Sequence, residues 1–177
     1  MLLHVPNVLT KAQVQSIREA INQDYQWVSG KKTAGGQASQ IKNNLQINTE
    51  SALYQQLSQF VMQNIKNNLL IQSFALPNEV LPPMFNCYQD TGHYSNHVDS
   101  AIHYLHENNK NVRTDVSLTV FLSESDEYEG GELIIEDTYG THEVKLDAGD
   151  AILYPSTSLH RVDPVTIGSR IAVFTWI

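Results

Sequence analysis

Gly92-His93-Tyr94-Ser95-Asn96-His97-Val98-Asp99-Ser100 reads as a β-strand that carries chemistry. Successive side chains of a strand point to opposite faces, so His97 and Asp99 are expected side by side on one face, with Val98 packed behind them. A neutral imidazole beside a carboxylate suits a borderline divalent ion. One further histidine would complete the facial triad that holds non-haem Fe(II) and leaves positions open. His-x-Asp is short enough to recur by chance, and a histidine in a sheet is commonly a satisfied structural residue. The pattern gains its meaning from His160 and Arg170 downstream.

From Leu81 onward, short runs rich in Val, Ile, Tyr, Phe and Thr are separated by Gly, Asp, Asn and Pro, the texture of an antiparallel β unit. Eight strands are expected: Met84 to Gln89, Tyr94 to Val98, Val112 to Leu122, Glu132 to Glu136, His142 to Leu146, Ala151 to Tyr154, Leu159 to Val162 and Arg170 to Trp176. Gly130-Gly131 reads as a tight strand connection, since no helix follows it to make a phosphate loop. Eight strands suit a two-sheet jelly roll. His160 then falls on the penultimate strand, expected to neighbour the last one. Alternation along that last strand puts Arg170, Ala172, Phe174 and Trp176 on one face. A lone arginine heading an apolar face is costly to bury without an anion, and its fork favours a carboxylate. A metal with open positions beside such an arginine is what a 2-oxo acid requires. His103 and His106 sit in a polar run that reads as a loop, not a metal face, and His4, His93 and His142 read as peripheral.

Upstream, Thr10-Lys-Ala-Gln13 is a capping-box pattern, followed by Val14, Ile17, Ala20 and Ile21 at helical spacing, which predicts a helix to about Asp24. Tyr25 to Ser29 reads as a short strand and Gly30 to Gln40 as a loop. Tyr54, Leu57, Phe60, Val61, Ile65 and Leu69 predict a second, longer helix. The two helices are expected to back one sheet and leave the barrel mouth free, rimmed by the Gly30 to Gln40 and His103 to Asn111 loops, which would order on substrate binding and set specificity. The fold class expected is therefore mainly β, a jelly roll backed by two N-terminal helices. It forms a single domain over residues 1–177, with helical support to residue 80 and the core from 81. The 41% hydrophobic content is ordinary for a soluble globule. A net charge of −8 and a pI near 5.2 oppose a phosphate backbone, so no nucleic-acid partner is expected. Neither a basic-then-apolar leader nor a membrane-length apolar run is present, so a cytoplasmic protein with no membrane partner is expected. The single cysteine, Cys87, excludes an internal disulfide and reads as core.

The chain resembles the bacterial PKHD-type Fe(II)/2-oxoglutarate hydroxylases, in the prolyl-4-hydroxylase-like branch of the dioxygenase superfamily. The likeness runs from Leu2 to the last residue. It rests on Lys42-Asn-Asn-Leu-Gln46, Phe85-Asn86 with Tyr88, His93-Tyr94 with His97-Val-Asp99, Arg113-Thr-Asp115, Phe121-Leu-Ser123, Gly130-Gly-Glu-Leu133, Asp137-Thr-Tyr-Gly140, Gly149-Asp150, Leu153-Tyr-Pro-Ser156 and Ser158-Leu-His160-Arg-Val162. The resemblance implies a double-stranded β-helix core. It places His97, Asp99 and His160 at the metal as catalytic residues, Arg170 at the distal carboxylate of 2-oxoglutarate, and Tyr88 as a phenol in the cosubstrate site. It implies Fe(II), 2-oxoglutarate and L-ascorbate as cofactors and cosubstrates, O2 and a small-molecule or peptide substrate, and a homodimer. Members usually continue past the final strand into a helical segment, whereas this sequence ends at Ile177 after Trp176; the expectation is a truncated chain or a short variant, in which dimer contacts or part of the substrate wall would be missing.

Two function classes follow: an oxygenase that uses 2-oxoglutarate and O2 to hydroxylate an unactivated C–H bond, or a cupin-type metal-bound jelly roll with a binding or non-oxygenase role. Asp99 and Arg170 separate them. A cupin site would carry more histidines on the strand of His97 and has no use for an arginine facing the cavity. Asp99 also argues against halogenation, because a halide needs the place the carboxylate fills. Prolyl-hydroxylase-like folds serve peptides, free amino acids and metabolites alike, and relatives are often associated with iron uptake, so the substrate is expected to be a peptide residue or a small, siderophore-related metabolite.

Overall fold

The computed structural model describes residues 1–24, 26–33, 39–105 and 109–177. Its first helix, α1 (Lys11–Gln23), begins as the capping box requires. Gln13 N–H donates to Thr10 Oγ1 at 3.3 Å, and Thr10 N–H to Gln13 Oε1 at 2.8 Å. Val14, Ile17 and Ile21 are buried along one stripe. The second apolar stripe does not make one helix. α2 (Ala52–Asn67) stops at Asn68, whose Oδ1 accepts from the N–H groups of Leu70 and Ile71 at 3.1 Å and so caps a third helix, α3 (Leu69–Ala75). Leu53, Tyr54, Leu57, Val61 and Ile65 form the buried face, whereas Phe60 and Leu69 face solvent, Leu69 at 82% exposure. Among the described residues the β unit is thus backed by three α-helices, not two.

In chain order the strands are β1 (Leu3–Val5), β2 (Trp27–Ser29), β3 (Lys42–Asn43), β4 (Leu45–Ile47), β5 (Met84–Tyr88), β6 (His93–His97), β7 (Ile102–Leu105), β8 (Lys110–Arg113), β9 (Val116–Phe121), β10 (Tyr128–Gly130), β11 (Leu133–Asp137), β12 (Gly140–Val144), β13 (Ala151–Pro155), β14 (Leu159–Val162), β15 (Val165–Gly168) and β16 (Arg170–Trp176). They form a seven-stranded sheet, β1-β13-β9-β16-β5-β4-β2, and a five-stranded sheet, β12-β11-β14-β6-β3, with two ribbons, β10-β15 and β7-β8. Strand alternation divides the core. Leu118, Val120, Leu153, Ile171 and Val173 pack outward from the large sheet against the helices, while Phe121, Ile152 and Tyr154 face inward and meet Leu133, Ile135 and Val162 of the smaller sheet. The result is a jelly roll with helices on one outer face. Among the described residues no helix is long and apolar enough to cross a membrane.

Several expected boundaries shift. Val112 to Leu122 is two strands, because Thr114 N–H turns to Ala101 O and Asp115 N–H to Ile177 O, which takes β8 into a ribbon with β7 and β9 into the large sheet. Between the expected last two strands the structure has a further one, β15. The strands of His160 and Arg170 are not neighbours either: β14 pairs with β11 and β6, β16 with β5 and β9, so the two side chains lie on opposite sheets. Successive jelly-roll strands cross between sheets, and that connectivity is non-local. His103 belongs to β7 rather than a loop; of the Gly30 to Gln40 loop, Gly30–Thr33 form a 3-10 turn, and residues 34–38, like His106, lie outside the described residues.

The segment before α1 is seated by Gly149, which has φ +99°. Leu9 N–H donates to Gly149 O at 3.0 Å, and a Cβ on Gly149 would lie 2.2 Å from Leu9 O. Gly149→Ala therefore combines a left-handed backbone penalty with a backbone clash, and is expected to lower unfolding free energy by ~2–4 kcal/mol, read as a lower urea midpoint. An unchanged midpoint would contradict this seating.

Candidate metal centre and its cavity

The interior between the sheets opens as a cavity of about 290 Å³ whose lining includes His97, Asp99, His160, Arg170 and Tyr88. All five residues singled out from the sequence are therefore brought together. His97 ends β6 and stands opposite His160 of β14 in register. Asp99 lies just beyond the strand end, its N–H bonded to Ser156 O at 3.1 Å. It still faces the histidines, but Val98 is 55% exposed instead of packing behind them.

The backbone decides which nitrogen each imidazole offers. His97 Nδ1 is 2.7 Å from Ser95 O and His160 Nδ1 is 3.0 Å from Ser158 O. A carbonyl only accepts, so Nδ1 carries the proton in both rings and each Nε2 keeps its lone pair free. Those Nε2 atoms point to Asp99, at 3.9 Å from Oδ1 for His97 and 3.7 Å from Oδ2 for His160. Two histidines and a carboxylate offer one ligand atom each within 4.8 Å of one another. Cis ligands around an ion at ~2.1 Å stand about 3 Å apart, so a small contraction closes this set on a divalent metal. Ser117 Oγ–H donates to Asp99 Oδ2 at 2.5 Å, and Ser156 Oγ lies 3.0 Å from Ser117 Oγ, which orients the carboxylate from behind. The ring of Tyr94 stacks on His97 at 3.5 Å.

Burial first, and the nearby His160 second, hold the His97 imidazole below its ordinary 6.5, at about 4. The neutral form is the one that binds metal. In the metal-free protein the unfolded chain takes up a proton at His97 near pH 6.5, whereas the folded chain does so only near 4. Protonation therefore favours unfolding across that interval: the stability is full above 6.5 and is lost as pH falls towards 4. Urea midpoints of metal-free protein should drop between about pH 7 and about pH 5, and His97→Asn should flatten the dependence. An equally steep fall in that variant would contradict the assignment.

At the other end of the cavity Arg170, 1% exposed, lies opposite Tyr88 across the β16/β5 pair. Its guanidinium is 5.4 Å from the Tyr88 ring centroid and 5.0 Å from that of Phe121, and Nε has no hydrogen-bond partner among the described residues. No described carboxylate pairs with it, and the Tyr128 hydroxyl is its polar neighbour, which leaves the guanidinium without an anion among the described residues. Burial pushes the Tyr88 phenol up to about 12, and Asn86 Nδ2 lies 3.5 Å from its oxygen. The phenol is thus a neutral donor beside the guanidinium. Lys42, Ser117, Phe174 and Trp176 also line the cavity, with no metal or cosubstrate role legible for them in the sequence, and His103, expected in a loop at the mouth, lines it from β7. The signal for Lys42 was the run Lys42, Asn44 and Gln46, three polar residues at strand spacing and all buried. Cys87 is buried core as expected, its thiol raised to about 11 by burial.

Residues 83–177, the strands that build this cavity, match the family described as the 2OG-Fe(II) oxygenase superfamily. Over all 177 residues the chain is 50% identical to the PKHD-type hydroxylase ACIAD0531 of Acinetobacter baylyi, spanning 78% of that protein. Among solved structures, a Pseudomonas putida prolyl-4-hydroxylase superposes with a TM-score of 0.69 at 19% identity, covering 99% of this chain and 91% of that one. A Trichoplax adhaerens prolyl hydroxylase in complex with a hypoxia inducible factor oxygen degradation domain peptide fragment gives a TM-score of 0.69 at 16% identity, covering 99% and 82%. At these identities the two structures speak for the fold alone, and neither they nor the sequence relatives support the cupin-type alternative. A whole-chain likeness of one residue in two, with the family match running through both sheets, decides the matter: the chain belongs to the 2OG-Fe(II) oxygenase superfamily as a PKHD-type hydroxylase, an Fe(II)- and 2-oxoglutarate-dependent dioxygenase.

Proposed function

We propose that His97, Asp99 and His160 hold the iron and that Arg170 and Tyr88 hold 2-oxoglutarate for the hydroxylation of a peptide residue or a small metabolite. The observation that carries this reading is a single cavity with two free imidazole lone pairs converging on one carboxylate and a buried, anion-lacking guanidinium at its far end. The donor set fits a ferrous ion: two neutral nitrogens and one anionic oxygen leave positions for a bidentate 2-oxo acid and O2. When bound, the iron supplies the oxidising chemistry by which O2 and 2-oxoglutarate convert R–H into R–OH, with succinate and CO2 as co-products.

The protein's own part is to position and to exclude. Ser95 and Ser158 carbonyls hold the two rings in the Nε2-donating tautomer, and Ser117 fixes Asp99 so that its carboxylate cannot swing away. Arg170 takes the distal carboxylate in a bidentate contact, with the Tyr88 hydroxyl as a further donor, which aims the keto-acid end at the triad. Phe121, Leu133 and Tyr154 keep that end of the cavity apolar and dry.

Residues 1–177 act as one domain in this reading, since β1 and β4 extend the large sheet and β3 the small one. The net charge of −8 supports an enzyme without a nucleic-acid partner; a cytoplasmic location is part of this proposal, and L-ascorbate is the reductant proposed to accompany it. The test is succinate release by Fe(II)-loaded protein given 2-oxoglutarate and O2, with and without a panel of peptides and anionic metabolites. Succinate dependent on all three components and raised by a panel member is expected; none from protein that retains iron would contradict the proposal.

A further inference from the structure

Lys42 is 5% exposed, yet it has no use in the chemistry described above. It comes from β3 at the edge of the small sheet, opposite Tyr94, and its ammonium lies 5.3 Å from the Tyr94 ring and 5.6 Å from that of Phe174. Among the described residues no carboxylate lies within ion-pair distance of it: the ammonium is met by these two ring faces, with the Asp99 carboxylate acting on it from farther off. Burial lowers the ammonium to about 8, against the opposing pull of Asp99, so it keeps its charge near neutral pH. Side chains of this kind are rarely buried unless they meet an anion.

The wall around it also holds a nitrogen without a hydrogen-bond partner among the described residues. Phe174 makes an edge contact with Trp176 at 5.3 Å, Trp176 lies 4.3 Å from the His103 ring, and His103 Nε2 is buried with no hydrogen-bond partner among the described residues. Lys42, Phe174, Trp176 and His103 therefore form one continuous strip with a buried cation that no described carboxylate pairs at one end and an unpaired imidazole nitrogen at the other. The strip is not the cosubstrate end. Phe174 lies four residues along β16 from Arg170, about 13 Å of strand, which sets the backbone of the strip well along the cavity wall from the arginine. Tyr94, against which Lys42 lies, stacks directly on His97, which puts the ammonium beside the metal ligands.

We propose that Lys42 is a specificity-determining residue that takes an anionic oxygen group of the substrate, a carboxylate, while a flat or apolar part of the same molecule lies on Phe174 and Trp176. This rests on the assignment of the triad and Arg170 made above, and it narrows the substrate class to carboxylate-bearing molecules.

The test uses Fe(II)-loaded protein, held anaerobic and saturated with 2-oxoglutarate, whose visible chelate band is recorded first. Benzoate and its neutral counterpart benzamide are then titrated, with tryptophan fluorescence as the readout. Benzoate is expected to bind about tenfold or more tighter than benzamide, as a charge-assisted contact requires. Lys42→Met should remove that preference while benzamide binding is kept, and Lys42→Arg should restore it. Equal affinities for the two probes in the parent, or an undiminished preference in Lys42→Met, overturn the proposal while the chelate band stands. Loss of the chelate band in Lys42→Met would place the lysine in the cosubstrate site and overturn it as well. No chelate band in the parent overturns the triad assignment, and the Lys42 proposal with it.

Discussion

Asp99→Ala and His97→Ala proteins should fold like the parent and fail to retain iron. The ligands line a cavity and do not fill the core: Asp99 and His97 contact the opening, while the packed interior is carried by residues such as Phe121, Ile135 and Leu153. Removing either ligand leaves a two-point site. The loss in Fe(II) affinity should exceed ~100-fold, above the 10–100-fold typical for groups that only orient a ligand. Turnover falls with it. Ser117→Ala supplies the graded comparison: it keeps all three ligands but frees the Asp99 carboxylate, and belongs in that lower range. Equilibrium dialysis followed by metal analysis measures all three variants, with circular dichroism as the check on folding. Stoichiometric iron retained by both ligand variants would contradict the assignment.

Local signals in the sequence carried well. The Thr10 to Gln13 box and the Val14, Ile17 and Ile21 stripe place α1 to within a residue, because capping and periodicity are properties of neighbours in the chain. The same logic slipped at Asn68, where a helix-capping side chain inside an apolar stripe ends one helix and starts the next. Alternation identified the cavity face of β16 and the common side of His97 and Asp99. It overran at Val98, because the strand ends at His97 and leaves the valine in solvent. What could not be read was which strands touch. The strands of His160 and Arg170 read as consecutive and so as a pair, yet β15 intervenes and the two residues reach one cavity from opposite sheets, an arrangement set by long-range pairing with β6 and β5. His103 is misplaced for a similar reason: the β7–β8 ribbon that turns it towards Trp176 pairs a segment that reads as loop with Lys110–Arg113, of which only Val112 and Arg113 read as strand.

Arg170→Leu should keep the iron and lose 2-oxoglutarate. The guanidinium touches none of the three ligands, is buried beside Tyr88 and Phe121, and has no described carboxylate to neutralise it. A charge-assisted bidentate contact in a dry site is worth roughly 2–4 kcal/mol, so affinity should fall about 30-fold to 1,000-fold. Arg170→Lys should fall between, since it keeps the charge and loses the fork. Leucine leaves the wall apolar, so the folded state should persist, and stabilisation against heat by 2-oxoglutarate, expected in the parent only with metal present, should vanish in this variant.

The central claim is that one cavity holds a ferrous ion at the triad and a 2-oxo acid between it and Arg170. Its most direct measurement is a titration of 2-oxoglutarate into anaerobic Fe(II)-loaded protein, followed by the visible charge-transfer band of the chelate. The account predicts a saturable band in the parent, the same band reached only at far higher 2-oxoglutarate in Arg170→Leu, and none in Asp99→Ala. A parent protein that retains iron and shows no band, or an Arg170→Leu protein with unchanged affinity, would contradict it.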